Sequence, residues 1–389
     1  MASFYKRGKT WSFSIDIGFD KDGKRKKKGV GGFKLKKDAE EAAAQLLLEL
    51  KAGTYVDEED VSFRNFSKMW FDDYKLGNVK KSTIRIRNNE LSILYKYFDG
   101  ISIKEITRKQ YQDALIDLLT QGYAESTIEG VHCTGGMIFA KAVELKAIKE
   151  DPTEYVRSPR KQQTAEELEK EEEELPKFLE KEELAKFLKT AQRAGLKDDY
   201  AIFLTLSYTG IRVGELCSLR DVSLNNNDCI IKITRTYYNP NNSIIEYELL
   251  TPKTTASRRT IKTSNKVFVE LIDLLKRQNI TKIKYKETWH NKGFIFCVDS
   301  HPGYPIYPKL VANRMQRLLK LSELNTNLSP HSLRHTHTSL LAEAGVSLEA
   351  IMERLGHEDD ETTRKIYLHV TKAVKKEVAH KFDELMDNL

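Results

Sequence analysis

Residues 166–174 read EELEKEEEE, and the wider stretch 158–174 has no apolar period from which a packed face could be built. Such a segment cannot bury enough apolar surface to offset the entropy of ordering it, so it reads as a linker. The linker is expected over 161–174, with a C-terminal unit over 175–389. A chain of 389 residues with 40% hydrophobic side chains has material for two or three cores.

Upstream of the linker the period itself changes. SFYKRGK, TWSFSIDIGF and KRKKKGVGGF alternate as strands, with turn chemistry at Asp20–Gly23, and predict a three-stranded sheet. KKDAEEAAAQLLLELKA, residues 36–52, is rich in helix formers and stops at Gly53, so one helix covers one sheet face and 1–56 forms a unit. Lys24, Arg25, Lys26, Lys27 and Lys28 are then expected on the other face, as a surface for a polyanion. The competing reading is a basic edge strand protected against aggregation.

From Val61 to about Arg160 the period is helical. Ser62, Ser82, Thr107 with Gln110, and Ser126 look like successive N-caps, and Pro152 like a stop, predicting a four-helix unit over 61–160. Lys80, Lys81, Arg85, Arg87, Arg108 and Lys109 fall near its helix ends, suited to a nucleic-acid backbone or simply to solvent.

Lys and Arg total 64 against 57 Asp and Glu, a net +7 that matters because it is uneven: residues 21–37 are basic and 166–174 acidic. Cys133, Cys217, Cys229 and Cys297 fall in no metal or redox spacing and read as reduced thiols. With no apolar leader and no run approaching the roughly 20 apolar residues of a membrane span, a cytoplasmic protein without membrane partners is expected.

The C-terminal unit reads as helical with a small sheet: FLEKEELAKFLKTAQ and YAIFLTLSYTG are helical, CIIKITRTYY and IIEYELLTPK alternate, and helices resume from Val267. In TGIRVGEL, Arg212 stands three residues before Glu215, which would hold the guanidinium with donors left for a phosphate; alone, such a pair is more often structural. In LSPHSLRHTHTSLL, Ser329 and Pro330 start a helix, so His331 and Arg334 share the face of its first turn, where an anion is favoured. His331, His335, His337, His357 and His369 also allow a metal reading, disfavoured because Arg334 would repel the ion and no nearby carboxylate completes the set. In IMERLGHEDDETTRKIYLHV, Gly356 suits a helix C-cap, His357 follows it, and Tyr367 comes ten positions later. A tyrosine becomes a nucleophile only where cations stabilise its phenolate and the charge of the transition state.

Arg212, Lys253, His331, Arg334, His357 and Tyr367, in this order, resemble the catalytic set of the tyrosine recombinases, in particular the phage and conjugative-transposon integrases. TGIRVGEL, TPKTTASRRTI, HSLRHTHTSLL, LGH and Tyr367 carry the resemblance from about Leu175 onward; the upstream segments share architecture only. The resemblance implies an arm-type DNA-binding domain, a helical core-binding domain and a catalytic domain with a C-terminal tail helix, acting as a homotetramer on double-stranded DNA. An accessory directionality factor is a further expected partner, and no metal or cofactor is implied. Tyr367 would attack the scissile phosphate to form a 3′-phosphotyrosyl bond. Arg212 and Arg334 would clamp the non-bridging oxygens, Lys253 would protonate the leaving oxygen, His331 would assist proton transfer, His357 would hydrogen-bond the phosphate, and Glu215 would support the site.

Lys232, Lys262 and Lys266 compete with Lys253, which is expected on a hairpin reaching toward DNA, with Arg258 and Arg259 beside it on the backbone. Two rival functions stay open. A type IB topoisomerase would share the nucleophile, although the multi-domain amino half argues against it. A non-catalytic DNA-binding regulator would explain HTHTSLLAEAGVSLEAIMERLGH as helix-turn-helix with its turn at 344–347, but has no use for six catalytic-type residues.

Overall fold

The computed structural model describes residues 2–19, 25–52, 61–161, 178–241, 243–252, 257–356 and 361–371. The chain divides near residue 162 into two compact units. Both are mainly helical with small sheets, as the sequence pattern predicts. The linker segment, apart from Lys161, lies outside the described residues, as do the turn at Asp20–Gly23 and Gly53.

In the first unit, β1 (Ser3–Arg7), β2 (Thr10–Phe19) and β3 (Arg25–Phe33) form an antiparallel sheet in that order. Helix α1 (Lys36–Ala52) covers one face, closing a small core of Phe13, Ile15, Ala39 and Ala43. The strand register corrects the expectation of one basic face. Lys27 pairs with Asp16, whereas Lys28 pairs with the buried Ile15 on the helix side, because successive strand residues alternate between faces. Arg25 lies 4.0 Å from Asp16, Lys24 is outside the described residues, and Lys26 is seen as a strand residue opposite Gly18.

A separate core in this unit is built by α2 (Phe63–Leu76), α3 (Lys81–Phe98), α4 (Arg108–Thr120) and α5 (Glu125–Glu144) around Phe63, Leu94, Phe98, Tyr111 and Phe139. Ser62 caps α2 and the Thr107–Gln110 pair caps α4. Two start signals shift: α3 begins at Lys81 behind Lys80, and α5 at Glu125 behind Ala124, so Ser82 and Ser126 lie inside the first turns. Helix α5 also ends at Glu144, before Pro152, where Lys146 takes φ 57°. Lys81 and Arg85 are exposed on α3, while Arg87 turns inward to Glu90 at 2.8 Å.

The second unit packs α6 (Lys181–Ala194), α7 (Asp199–Thr209), the short α8 (Val213–Cys217), α9 (Asn265–Lys284), α10 (Pro308–Leu321) and α11 (Pro330–Glu343) around one core. Helix α7 is mainly apolar, has no separate polar face and is buried nearly throughout, with Thr205, Ser207 and Thr209 bonded back to its own carbonyls, which suits a place in the middle of the core. Helix α12 (Leu348–Leu355) follows α11 across the expected turn at 344–347, where Gly345 takes φ 79° and Ser347 caps the next helix. A last described helix, α13, spans 361–371.

The strands here depart from the sequence reading. CIIKITRTYY is not one strand: β5 (Ile230–Ile233) lies between β4 (Leu224–Asn225) and β8 (Arg259–Lys262), while β6 (Thr236–Tyr238) pairs with β7 (Glu248–Leu250) in a second sheet. Leu250 ends β7 in one sheet and Arg259 opens β8 in the other, while Lys253, expected on a hairpin between them, lies outside the described residues.

Candidate active site

Helix α11 starts at Pro330, where the Ser329 backbone N–H donates to Ser332 Oγ. One turn on, Arg334 is 1% exposed. Its Nη1 donates to the Gly210 carbonyl at 2.6 Å and its Nη2 to the Leu355 carbonyl at 2.7 Å. Both acceptors sit at helix C-termini, Gly210 capping α7 at φ 65° and Leu355 ending α12 before Gly356 at φ 70°. Carbonyls there lack helical partners and carry the negative end of the dipole. Desolvating a guanidinium costs several kcal/mol, which charge-assisted bonds of about 1.5–3 kcal/mol each go far to offset. Arg334, read in the sequence as a first-turn residue facing an anion, is thus a core cation that joins the turn leading into Arg212 to the end of α12.

Arg212 is the N-cap of α8, with its side chain 37% exposed. Glu215, one turn later and 2% exposed, accepts from the Arg212 backbone N–H at 3.0 Å and from Arg212 Nη1 at 3.1 Å. Its second partner went unread in the sequence: Arg259 Nη2 reaches the same carboxylate at 2.9 Å and Nη1 at 3.3 Å. Burial pushes the Glu215 carboxyl up, but the hydrogen bond and charge of Arg259, followed by those of Arg212, more than reverse this and hold it below the usual carboxylate value. Arg259 was expected on DNA backbone beside Arg258. Its side chain is instead only 6% exposed, whereas Arg258 is exposed.

His331 is exposed at the start of α11, its ring set edge-on to His335 with centroids 4.7 Å apart. His337 points the other way, into the core. Its Nδ1 donates to the Ser207 carbonyl at 2.9 Å and its Nε2 accepts from Arg354 Nε at 3.0 Å. Burial, with Arg354 next in weight, depresses its pKa to about 3. A ring with both nitrogens so engaged cannot join His331 and His335 as a metal ligand, and the described residues hold no cluster of three metal-ligating side chains. Arg354 also donates to the carbonyls of Lys262 and Tyr208, bracing α12 against β8 and α7. The sequence offers His337 only as one of several histidines for a metal and gives Arg354 no role. The i, i+3 placement of His337 after Arg334 was the one available signal.

Tyr367 is partly buried on α13, packed with Ala342, Ile351 and Leu355. Leu355 is thus shared: its carbonyl takes Arg334, its side chain meets the backbone at Gly210, and its cluster carries Tyr367. Lys253 and His357 lie outside the described residues, between Pro252 and Ser257 and directly after Gly356.

Arg212, Arg334 and Tyr367 thus stand on three segments that meet around Leu355, and two arginines with a tyrosine hydroxyl are side chains suited to phosphoryl transfer. Residues 177–373 match the phage integrase family, residues 3–50 an arm DNA-binding domain, and residues 62–119 the N-terminal SAM-like domain of phage integrases. Among curated proteins the chain is 30% identical over 333 residues to the prophage ps2 probable integrase of Lactococcus lactis subsp. lactis (strain IL1403), covering 82% of each. It is 25% identical to the ICEBs1 integrase of Bacillus subtilis (strain 168) over 90% of each. Among solved structures, the Tn1549 transposon integrase in complex with transposon right end DNA superposes with a TM-score of 0.65 at 19% identity, over 82% of this chain and 100% of that one. A lambda integrase dimer bound to a COC′ core site gives 0.57 at 14% identity, over 94% of each. The chain belongs to the phage integrase family. It is a tyrosine-type site-specific DNA recombinase, an enzyme of mobile-element integration. Among the described residues no helix is long and apolar enough to cross a membrane.

Proposed function

We propose that Tyr367 is the nucleophile, attacking the scissile phosphorus to form a 3′-phosphotyrosyl bond while the bond to the 5′-oxygen breaks. Arg212 and Arg334 neutralise the non-bridging oxygens, Lys253 gives a proton to the departing 5′-oxygen, His331 assists proton transfer, and His357 hydrogen-bonds the phosphate. The freed 5′-hydroxyl then attacks the phosphotyrosine of a partner strand, so two duplexes exchange with little net change in bond energy. Residues 1–56 serve arm-type sites, 61–160 and 175–389 close on the core site, and 161–174 links them. The chain works on double-stranded DNA as a homotetramer, integrating and excising a mobile element, with a directionality factor as partner. Lys24, Arg25, Lys26, Lys27, Lys28, Lys81, Arg85 and Arg258 are the candidate DNA contacts.

The observation that carries this reading is the single Arg334 guanidinium that hydrogen-bonds the carbonyls at the ends of α7 and α12, the two helices that lead into Arg212 and toward His357. Sequence neighbours of three proposed catalytic side chains are thereby held within one hydrogen-bond network, as a phosphate clamp requires. The test is a nicked suicide DNA carrying the element's core site. Wild type should become covalently attached to it, and Tyr367→Phe should bind it with unchanged affinity and form no adduct. An adduct with the phenylalanine variant would place the nucleophile elsewhere, with Tyr304 and Tyr307 next to be tried.

A further inference from the structure

Arg259 links several segments around the proposed catalytic groups. Its Nη1 and Nη2 donate to Glu215, which in turn holds the backbone N–H and the guanidinium of Arg212. Its Nε donates at 2.8 Å to the carbonyl of Arg354, next to the end of the helix that leads to His357. Its Nη1 also reaches the Ser257 carbonyl at 3.2 Å, and its own backbone sits in β8 opposite Ile233, shortly after Lys253 in sequence. We infer that Arg259 is a positioning residue: it acts through Glu215 on Arg212, and it anchors the strand that follows Lys253 in sequence, without contacting DNA.

The chemistry favours an arginine here over any other cation. A planar fork can serve a carboxylate along one edge and two carbonyls with its remaining donors, whereas an ammonium serves one direction at a time. Glu215 needs a second cation because, in so dry a place, a carboxylate shared with Arg212 alone would draw that guanidinium inward and compete with the phosphate. With Arg259 on its far side, the carboxylate orients Arg212 and the half-exposed guanidinium stays directed outward.

The inference rests on the proposed roles of Arg212 and Lys253, and the experiment separates the two. Full-length Arg259→Met, Arg259→Lys, Glu215→Gln and Arg212→Lys are compared for core-DNA affinity, for single-turnover cleavage at saturating DNA, and for cleavage of two altered substrates. One carries sulfur at the bridging 5′ position, which leaves without a proton; the other carries a methylphosphonate, which lacks the negative charge that Arg212 would balance. Arg259→Met should bind DNA within about threefold of wild type and cleave at least about tenfold slower at saturation, the split expected when an interaction acts only in the transition state. Its defect should shrink on both altered substrates, and Glu215→Gln should add little to it, since coupled residues are non-additive. Arg259→Lys, which keeps the charge, guards against a misfolded methionine variant and should fall between that variant and wild type. Weaker DNA binding with normal cleavage at saturation would make Arg259 a DNA contact and overturn the inference, as would an equal defect on all substrates. If Arg212→Lys itself cleaved normally, the proposed site would fail first.

Discussion

Gly210 and His337 meet so closely that a methyl group on Gly210 would lie 2.7 Å from His337 Cδ2, and 2.8 Å from Leu355 Cδ2. The same glycine takes φ 65° and gives its carbonyl to Arg334. Gly210→Ala therefore meets two costs: about 1 kcal/mol for a side chain in the left-handed region, and about 1–3 kcal/mol for crowding a buried ring that is hydrogen-bonded at both ends. Gly345 is the control, also left-handed at φ 79° but with open space around it, so alanine there meets the first cost alone. Urea melts should separate the two variants by at least about 1 kcal/mol. Equal losses would mean that Gly210 matters for its backbone angle only.

His337 makes stability depend on pH. Its folded pKa lies below the ordinary value of 6.5, at about 3, because the charged ring would be buried beside Arg354. A depressed pKa in the folded state means that the unfolded chain binds the extra proton, so the contribution is complete above about pH 6.5 and is lost as pH falls toward 3. Between pH 7 and pH 5 this one group should remove about 2 kcal/mol. His337→Gln would lower stability at neutral pH and flatten the loss on acidification. An unfolding midpoint that falls equally steeply in both proteins would assign the acid sensitivity to other groups.

The same residue shows what the sequence could and could not tell. Arg212, Glu215, His331, Arg334 and Tyr367 stand out in the sequence because their types and order suit one chemistry, and the helix starts at Ser62, Thr107 and Ser329 were legible because a cap is a local signal. The contacts made by Arg259, His337 and Arg354 were not, since their partners lie 44 or 95, 130, and 92 or 146 positions away, and such pairings follow from tertiary packing alone. CIIKITRTYY was misread for a related reason. Alternation marks a residue as strand-like, but two strands that change partner between Ile233 and Thr236 look the same as one long strand. The basic run at Arg25–Lys28 was read as a surface from charge alone, and the pleat divides it.

Helix α5 offers a paired test of packing against propensity. Alanine normally gains about 1 kcal/mol over glycine inside a helix. At Gly135 a methyl group would fall well inside 3.0 Å of the Tyr111 hydroxyl, and Tyr111 is fully buried, so the ring has no room to retreat. Gly136 faces only Thr153 Oγ1 at 3.7 Å, an ordinary contact. Gly135→Ala should destabilise by about 2 kcal/mol and Gly136→Ala should be neutral or stabilising by up to about 1 kcal/mol. Thermal melts of the full chain report on this core through Trp70 fluorescence once Trp11 and Trp289 are replaced by Phe. Stabilisation by both would show that α4 and α5 separate at little cost.

Arg212→Lys tests the clamp at its most exposed member. Glu215 already holds one guanidinium edge and the backbone of Arg212, so the variant keeps its charge and its neighbours while losing the planar fork. A lysine ammonium at this place has to choose between the Glu215 carboxylate and a phosphate oxygen, because its stem is shorter than the arginine it replaces and its donors radiate from one atom. The ground state should feel this little, since DNA affinity is spread over many phosphate contacts and the net charge is unchanged. The transition state should feel it strongly, because the extra negative charge there develops on the non-bridging oxygens that the fork would span. Losing one preorganised donor of this kind costs about 3–4 kcal/mol, or roughly 100- to 1,000-fold in rate. Core-DNA affinity within about threefold of wild type, an unchanged melting temperature and cleavage reduced by that factor at saturating DNA are the expected results. Cleavage close to wild type would reduce the Arg212–Glu215 pair to a structural ion pair and leave Arg334, buried as it is, as the remaining arginine of the clamp.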